Sequence, residues 1–113
     1  MRDQILDLVT RHCASLRREG AEIASLVPAP GLEPGPDRAA LVERLHKLKG
    51  GSGSIGFQEI SQTAETMEAR LREAGADPLD PSGREGVLAL HARLQDLIAR
   101  IAPEQSTLYA RFL

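Results

Sequence analysis

The stretch LVERLHKLKGGSGSIGFQEISQTAETMEARL, residues 41–71, decides the fold of this chain. Apolar or small residues recur in it every three or four positions, which is the period of one face of an α-helix. In the first half they are Leu41, Leu45, Leu48, Ser52 and Ile55, and in the second half Phe57, Ile60, Ala64, Met67 and Leu71. The spacing predicts two amphipathic helices, the second ending at Gly75 with Pro78 beyond it.

Two further helical patterns flank this stretch. The first runs from Arg2 to Val27, with a gap around Gly20, and its apolar face reads Ile5, Val9, Cys13, Leu16, Ile23 and Leu26. The last opens at a capping-box pattern, Ser82 to Glu85, and ends at Pro103. Its stripe is Val87, Leu90, Leu94, Leu97 and Ile101. We expect the tail, residues 104–113 with Leu108, Tyr109, Phe112 and Leu113, to dock as a short helical turn.

The segment PAPGLEPGP, residues 28–36, predicts a linker between the first and second helices, because prolines and glycines cannot continue a helix. Asp37 directly after it is a plausible N-cap. Four amphipathic helices without a convincing strand predict an all-α, antiparallel four-helix bundle. At 113 residues, we expect a single domain covering 1–113.

Composition excludes several classes of function. The net charge is −2 with the signs interspersed, so no basic stripe predicts nucleic-acid binding. No apolar run approaches the roughly 20 residues that span a bilayer, and no signal peptide follows Met1. The single Cys13 excludes an internal disulfide and a cysteine-based metal cluster. These features predict a cytoplasmic protein with no membrane, nucleic-acid or metal site.

Glycines at positions 50, 51, 53 and 56 lie inside or at the end of the second predicted helix. Each interior glycine costs about 1 kcal/mol relative to alanine, and three cost roughly 3 kcal/mol. That is a sizeable share of the stability of a small domain. A helix rule broken this heavily indicates a functional requirement.

The position of His46 on this helix indicates what that functional requirement is. Leu45 belongs to the core stripe, so at about 100° per residue His46 falls at its border or outside it. Lys49 follows one turn later, and Gly50 and Gly53 lie within about 40° of His46 around the helix. The imidazole therefore stands above turns that carry no side chain at those positions. A partner could bring its backbone and an acidic site close, while Lys49 offers donors for phosphoryl oxygens.

Histidine chemistry fits this arrangement, because neutral imidazole is a nucleophile near physiological pH and can pass a phosphoryl group onward. His12 and His91 serve as internal controls. The residues three and four positions after them are neither cations nor glycines. We interpret both as structural or surface residues.

Residues 46–68, HKLKGGSGSIGFQEISQTAETME, resemble the signature of histidine-phosphotransfer (HPt) domains. That signature has a histidine, an apolar residue, Lys-Gly, small residues and an apolar-Gly pair, then a helix with an apolar-Glu pair. The matching positions are His46, Leu48, Lys49, Gly50, the run Gly51 to Ser54, Ile55–Gly56, Ile60, Ala64 and Met67–Glu68.

The resemblance implies a phosphorelay intermediate, with His46 as the phosphoacceptor and Lys49 as its electrostatic assistant. Gly50 would allow a receiver domain to approach, and we expect the partner to contact Gly50, Gly53, Lys47 and Ser54. The implied partners are the receiver domains of a response regulator and of a hybrid histidine kinase. The receiver would supply Mg²⁺ and the phosphorylatable Asp. The chain itself would need no cofactor, have no autonomous kinase activity and act as a monomer.

Other functions fit the residues less well. GSGSIG, residues 51–56, matches G-x-G-x-x-G, but a helix precedes it where a dinucleotide fold needs a strand. The dimerisation domain of a sensor kinase also phosphorylates a helical histidine. It normally has an acidic residue just after that histidine, where this chain has Lys47. A helical-bundle adaptor with His46 unphosphorylated remains open.

Overall fold

A computed structural model, which describes residues 2–111, contains four long helices packed as a bundle. They are α1 (Arg2–Ala24), α2 (Pro36–Ile55), α3 (Gln58–Ala74) and α4 (Pro81–Ala99). A 3-10 turn, Pro103–Gln105, and the short helix α5, Thr107–Ala110, follow. Residues 2–111 form no strand, so the prediction of an all-α four-helix bundle is confirmed. Phe112 and Leu113, which we expected in the docked tail, lie outside the described residues.

Helices α2 and α3 run antiparallel across a tight connection. His46 in the middle of α2 contacts Glu68 late in α3, whereas Gly53 near the end of α2 faces Ser61 early in α3. Helix α1 packs against both α2 and α4, and α4 packs against α3, which closes the bundle. Because the two helices are antiparallel, the part of α2 that carries His46 lies beside the C-terminal half of α3.

Most of the core is built from the predicted stripes. Four stripe residues are only partly buried, Ile5, Leu26, Leu90 and Leu97, whereas Leu32 and Ile98 are buried outside the stripes. Ser52, the one hydroxyl residue of the α2 stripe, is fully buried and donates a 2.6 Å hydrogen bond to the carbonyl of Leu48. A buried hydroxyl is tolerated when its hydrogen-bonding capacity is met in this way. The buried stripe residues are Val9, Cys13, Leu16, Ile23, Leu41, Leu45, Leu48, Ile55, Phe57, Ile60, Ala64, Met67, Leu71, Val87, Leu94 and Ile101.

The gap in the α1 stripe at Gly20 has a packing cause. A Cβ atom at this position would lie 2.9 Å from Cδ1 of Ile98 on α4. Gln95 of α4 also donates a 2.9 Å hydrogen bond to the Gly20 carbonyl. The missing side chain therefore lets α4 approach the backbone of α1.

Both predicted N-caps are wrong, and prolines explain why. Helix α2 begins at Pro36 with Gly35 as its N-cap, so Asp37 lies inside the first turn. Helix α4 begins at Pro81, and the capping side chain is Asp80, not Ser82 of the predicted capping box. Proline favours the first helical position because it has no N–H to satisfy there, which moves the cap to the preceding residue.

The connection between α1 and α2 is ordered by buried contacts. Helix α1 ends at Ala24, earlier than the predicted Val27, in keeping with the bias against helical conformation before Pro28. Leu32 is buried in the core, and the Arg38 guanidinium donates a 2.6 Å hydrogen bond to its carbonyl. The predicted linker therefore packs on the bundle and fixes the start of α2.

The C-terminal tail packs on the end of the bundle that holds the α2–α3 connection, away from His46. The backbone N–H of Thr107 donates to the carbonyl of Gly56 at 3.1 Å, and the Ser106 hydroxyl donates to the carbonyl of Ile55. Leu108 and Tyr109 are partly buried against the core. The predicted helical turn is present as α5, and it holds the α2–α3 connection.

Candidate functional site

His46 lies near the middle of α2, with its side chain 62% exposed. Leu45 and Leu48, which are close to His46 in the sequence, belong to the apolar stripe of α2 and are fully buried in the core. Because these leucines face inward, the histidine ring stands at the border of α2 and α3. An exposed ring on a rigid helix is accessible to another protein.

One nitrogen of the ring is held by a buried carboxylate. Nδ1 of His46 lies 3.0 Å from Oε2 of Glu68, whose side chain is only 6% exposed. An ionised carboxylate can only accept, so Nδ1 carries the hydrogen and donates it. The neutral ring then has its lone pair on Nε2. The contact with Glu68 therefore leaves Nε2 as the nucleophilic nitrogen.

Two cations surround Glu68. Lys49 Nζ lies 3.4 Å from Oε1 of Glu68. The Arg72 guanidinium contacts the other oxygen, Oε2, with Nε at 2.9 Å and Nη2 at 2.8 Å. Burial raises the pKa of the Glu68 carboxyl. The hydrogen bonds from Arg72 and His46 and the charge of Lys49 outweigh burial, so the pKa lies below its ordinary value. Glu68 is therefore ionised at neutral pH.

The glycines of α2 differ in what lies beside them. A Cβ atom at Gly50 or Gly51 would meet no other part of the described chain within 4 Å. A Cβ atom at Gly53 would lie 3.0 Å from the hydroxyl oxygen of Ser61 on α3. That hydroxyl donates a 2.9 Å hydrogen bond to the carbonyl of Lys49. Gly50 is therefore open to a partner, whereas Gly53 lies against α3.

The structure does not bring Lys47 or Ser54 into the cluster around Glu68. Lys47 is 78% exposed, and its Nζ lies 3.9 Å from Oε1 of Glu19 on α1. Ser54 is exposed and donates a 3.0 Å hydrogen bond to the carbonyl of Gly51. His46, Lys49 and Gly50 thus share one surface, and Lys47 lies on the side of α2 that faces α1.

A groove of about 620 Å³ opens beside the histidine ring, between the N-terminal half of α2 and the C-terminal end of α3. Ala39 and Val42 contribute apolar surface to it, the buried Leu71 also lines it, and Arg72 contributes charge. Within residues 2–111, no group of three or more His, Cys, Asp or Glu residues could hold a metal ion. None of the described helices is both long and apolar enough to cross a bilayer.

Sequence reasoning missed the roles of Glu68 and Arg72. Glu68 belongs to the apolar-Glu pair of the family signature, but nothing in the spacing of α3 connects it with a histidine 22 residues earlier. Arg72 follows Glu68 by four positions, a spacing that favours ion pairs on a helix. That signal predicts the Arg72–Glu68 contact but not its proximity to His46.

The control histidine His91 has a different environment. It lies half-buried on α4, and its Nε2 is 3.2 Å from the side-chain nitrogen of Gln95. Burial lowers the pKa of His91. Its contacts are with a neutral amide instead of the carboxylate that distinguishes His46.

Comparison with known proteins supports the resemblance to HPt domains. Neither the curated proteins nor the solved structures give a match. A family model, described as the Hpt domain, matches residues 2–102 of the 113-residue chain. This match spans all four long helices and includes His46 and Glu68. The chain therefore belongs to the Hpt domain family, whose members are phosphocarriers in two-component histidine phosphorelays.

Proposed function

We propose that His46 accepts a phosphoryl group from an aspartyl phosphate of one receiver domain and donates it to the aspartate of another. The observation that carries this proposal is the pairing of an exposed imidazole with the buried, ionised Glu68. The pairing leaves the lone pair of Nε2 available and fixes the ring through Nδ1. Both features suit a nucleophile that must meet a partner's active site.

The proposed step balances without a base. The Nε2 lone pair attacks phosphorus, the new N–P bond forms, and the P–O bond to the partner's aspartate breaks. The aspartate leaves as a carboxylate, and the histidine ring, which keeps its Nδ1 hydrogen, becomes positively charged. Glu68 faces that charge from 3.0 Å and stabilises it, an effect that grows as the transition state forms. In the onward step, the carboxylate of the second receiver's aspartate attacks phosphorus, the N–P bond breaks, and the ring becomes neutral again.

Lys49 and Gly50 have distinct roles in this proposal. Lys49 follows His46 by one helical turn, its Nζ lies 3.4 Å from Oε1 of Glu68, and its ammonium can turn toward the phosphoryl oxygens. Gly50 has no side chain at the position one turn after His46, so that a receiver's loops can approach the ring there. We expect the groove beside Val42 and Leu71 to receive apolar side chains of the partner.

We further propose that the receiver supplies the Mg²⁺ that neutralises the transferred phosphoryl group. The chain would then act as a monomeric phosphocarrier without kinase activity of its own. It would meet its receiver partners in the cytoplasm. A helical adaptor or a sensor-kinase dimerisation domain would instead leave His46 unphosphorylated by a receiver.

The test is incubation of the chain with a receiver domain carrying a labelled aspartyl phosphate. We expect acid-labile, base-stable label on the wild type and on His91→Gln, and none on His46→Gln. His46→Gln should keep the helical content and unfolding midpoint of the wild type, because the side chain is 62% exposed. Label retained by a folded His46→Gln protein would refute the site, and an unlabelled wild type would favour the adaptor.

A further inference from the structure

Two exposed cations of α2 lie on the side of His46 that faces α1. Lys47 follows His46 directly and points about 100° around the helix from it, and Arg44 points about 160° around in the same direction. A depression of about 580 Å³ on this side of α2 is lined by both cations and by His46. The two cations therefore share a surface with the histidine.

Carboxylates of α1 hold both cations. Arg44 pairs with Glu22, and Nζ of Lys47 lies 3.9 Å from Oε1 of Glu19. Exposed ion pairs of this kind stabilise a fold only slightly, so exchanging one partner for another costs little. The side chains of Glu19 and Glu22 are 23% and 55% exposed, so water can hydrate them when the cations turn away. Each cation is therefore free to turn from α1 to a carboxylate of another protein.

We propose that this surface docks an acidic patch of the receiver, and that the two α1 carboxylates compete with that patch for the two cations. Docking exchanges ion pairs within the chain for ion pairs between the two proteins. Glu43 also lines the depression, so two cations face the partner against one carboxylate. This inference rests on the proposed function, which makes a receiver the partner that approaches His46.

The chemistry of the receiver favours opposite charge on this chain. A receiver that holds Mg²⁺ and a phosphorylatable aspartate needs carboxylates at its site. Complementary charge around His46 speeds the encounter with such a surface and fixes its orientation. The cations on the α3 side of the ring, Lys49 and Arg72, are engaged by the buried Glu68. The exposed ion pairs on the α1 side are thus the ones that a partner can exchange without leaving a buried charge alone.

The experiment is calorimetric titration of the full chain with the unphosphorylated receiver domain of the labelling experiment. In about 20 mM salt, we expect the double variant Arg44→Gln/Lys47→Gln to raise Kd about fivefold. The double variant Glu19→Gln/Glu22→Gln should lower Kd about twofold, because the two cations then have no competitor within the chain. In about 500 mM salt, both variants should approach the wild-type Kd, because salt screens exposed charges.

Other exposed ion pairs supply matched controls. Arg84 pairs with Glu33 and Arg100 with Asp96, and both arginines lie on α4, which packs on α1 and α3. The double variants Arg84→Gln/Arg100→Gln and Glu33→Gln/Asp96→Asn change the net charge by the same amounts as the variants beside His46. Both should keep a Kd near that of the wild type. A Kd that follows net charge in the controls as well would overturn the inference.

The sign of the Glu19→Gln/Glu22→Gln effect is the decisive result. An unchanged or raised Kd in about 20 mM salt would overturn the inference and show that these ion pairs only join α1 to α2. Urea denaturation midpoints establish that each variant is folded. The titration needs no phosphoryl transfer, so a wild type that binds the receiver with these shifts but accepts no label would refute the proposed function separately.

Discussion

Nδ1 of the exposed His46 lies 3.0 Å from Oε2 of Glu68, a side chain that is 6% exposed. The two residues belong to neighbouring antiparallel helices and are 22 positions apart in the chain. The buried partner fixes the orientation and tautomer of the ring, and the opposite nitrogen stays available to solvent. The site therefore exists only when α2 and α3 are packed together.

Glu68→Gln tests the contribution of the carboxylate charge at nearly constant side-chain size. We expect the rate of phosphoryl acceptance by His46 to fall about tenfold, which corresponds to about 1.4 kcal/mol less stabilisation of the positive ring. Single-turnover labelling from a phosphorylated receiver measures this rate. Glu73→Gln, an exposed change on the same helix, is the control and should keep the wild-type rate. Equal rates for the two variants would contradict the assigned role.

Glu68 should also make the stability of the fold depend on pH. Its pKa is lowered in the folded chain, because the hydrogen bonds and charge of its three partners outweigh burial. In the unfolded chain a glutamate has a pKa of about 4.3. The stability from ionised Glu68 is thus fully present above about pH 4.3 and is lost as the pH falls through the lower folded value.

Urea denaturation between about pH 6 and about pH 3 measures this effect. The wild type should lose stability over the acidic part of this range more steeply than Glu68→Gln, because the variant has no carboxylate to protonate there. The remaining carboxylates are common to both proteins and cancel in the comparison. Parallel stability curves would show that Glu68 is not held in its ionised form.

Much of the fold follows from local sequence, whereas half of the site does not. The stripe containing Leu41, Leu45 and Leu48 specifies a helix because its period is set by local geometry, and His46 and Lys49 are placed by the same period. Glu68 and Arg72 join them only through packing of another helix. The predicted N-caps, Asp37 and Ser82, are wrong because Pro36 and Pro81 start the two helices earlier. Aspartate and serine are both common N-cap residues, so the sequence alone did not decide between the candidate positions.

Gly50 and Gly51 form a matched pair for testing the approach of a partner. A Cβ atom added at either position would have no atom of another part of the described chain within 4 Å, so a larger side chain fits at both. Only Gly50 lies one helical turn from His46 on the same side. We expect Gly50→Gln to slow phosphoryl transfer about tenfold by holding the receiver away from the ring, which corresponds to a loss of about 1.4 kcal/mol.

Gly51→Gln should transfer at nearly the wild-type rate, because its side chain leaves α2 about 140° around the helix from His46. Both variants should be slightly more stable than the wild type, since each replaces an interior helical glycine. Transfer rates and denaturation midpoints measured on the same samples separate docking from folding. Equal slowing by both substitutions would mean that Gly50 has no special place in the interface.

Gly56→Ala tests why an apolar-Gly pair ends α2. Gly56 adopts a left-handed conformation with φ of +92°, which costs an alanine roughly 1–2 kcal/mol. A Cβ atom there would also lie 2.7 Å from the backbone nitrogen of Thr107 and 2.8 Å from that of Leu108. Backbone atoms cannot turn aside as a side chain can, so the tail that covers the α2–α3 connection must move.

We therefore expect Gly56→Ala to lower the free energy of unfolding by about 2 kcal/mol or more, as measured by urea denaturation. Gly53→Ala is the comparison, because its Cβ would meet only side-chain atoms of Ser61, the hydroxyl oxygen at 3.0 Å and Cβ at 3.7 Å, and its cost should be smaller. Hydrogen exchange should also rise at the amide of Thr107, which donates to the carbonyl of Gly56. A Gly56→Ala protein as stable as the wild type, with Thr107 still protected, would show that the tail does not constrain this turn.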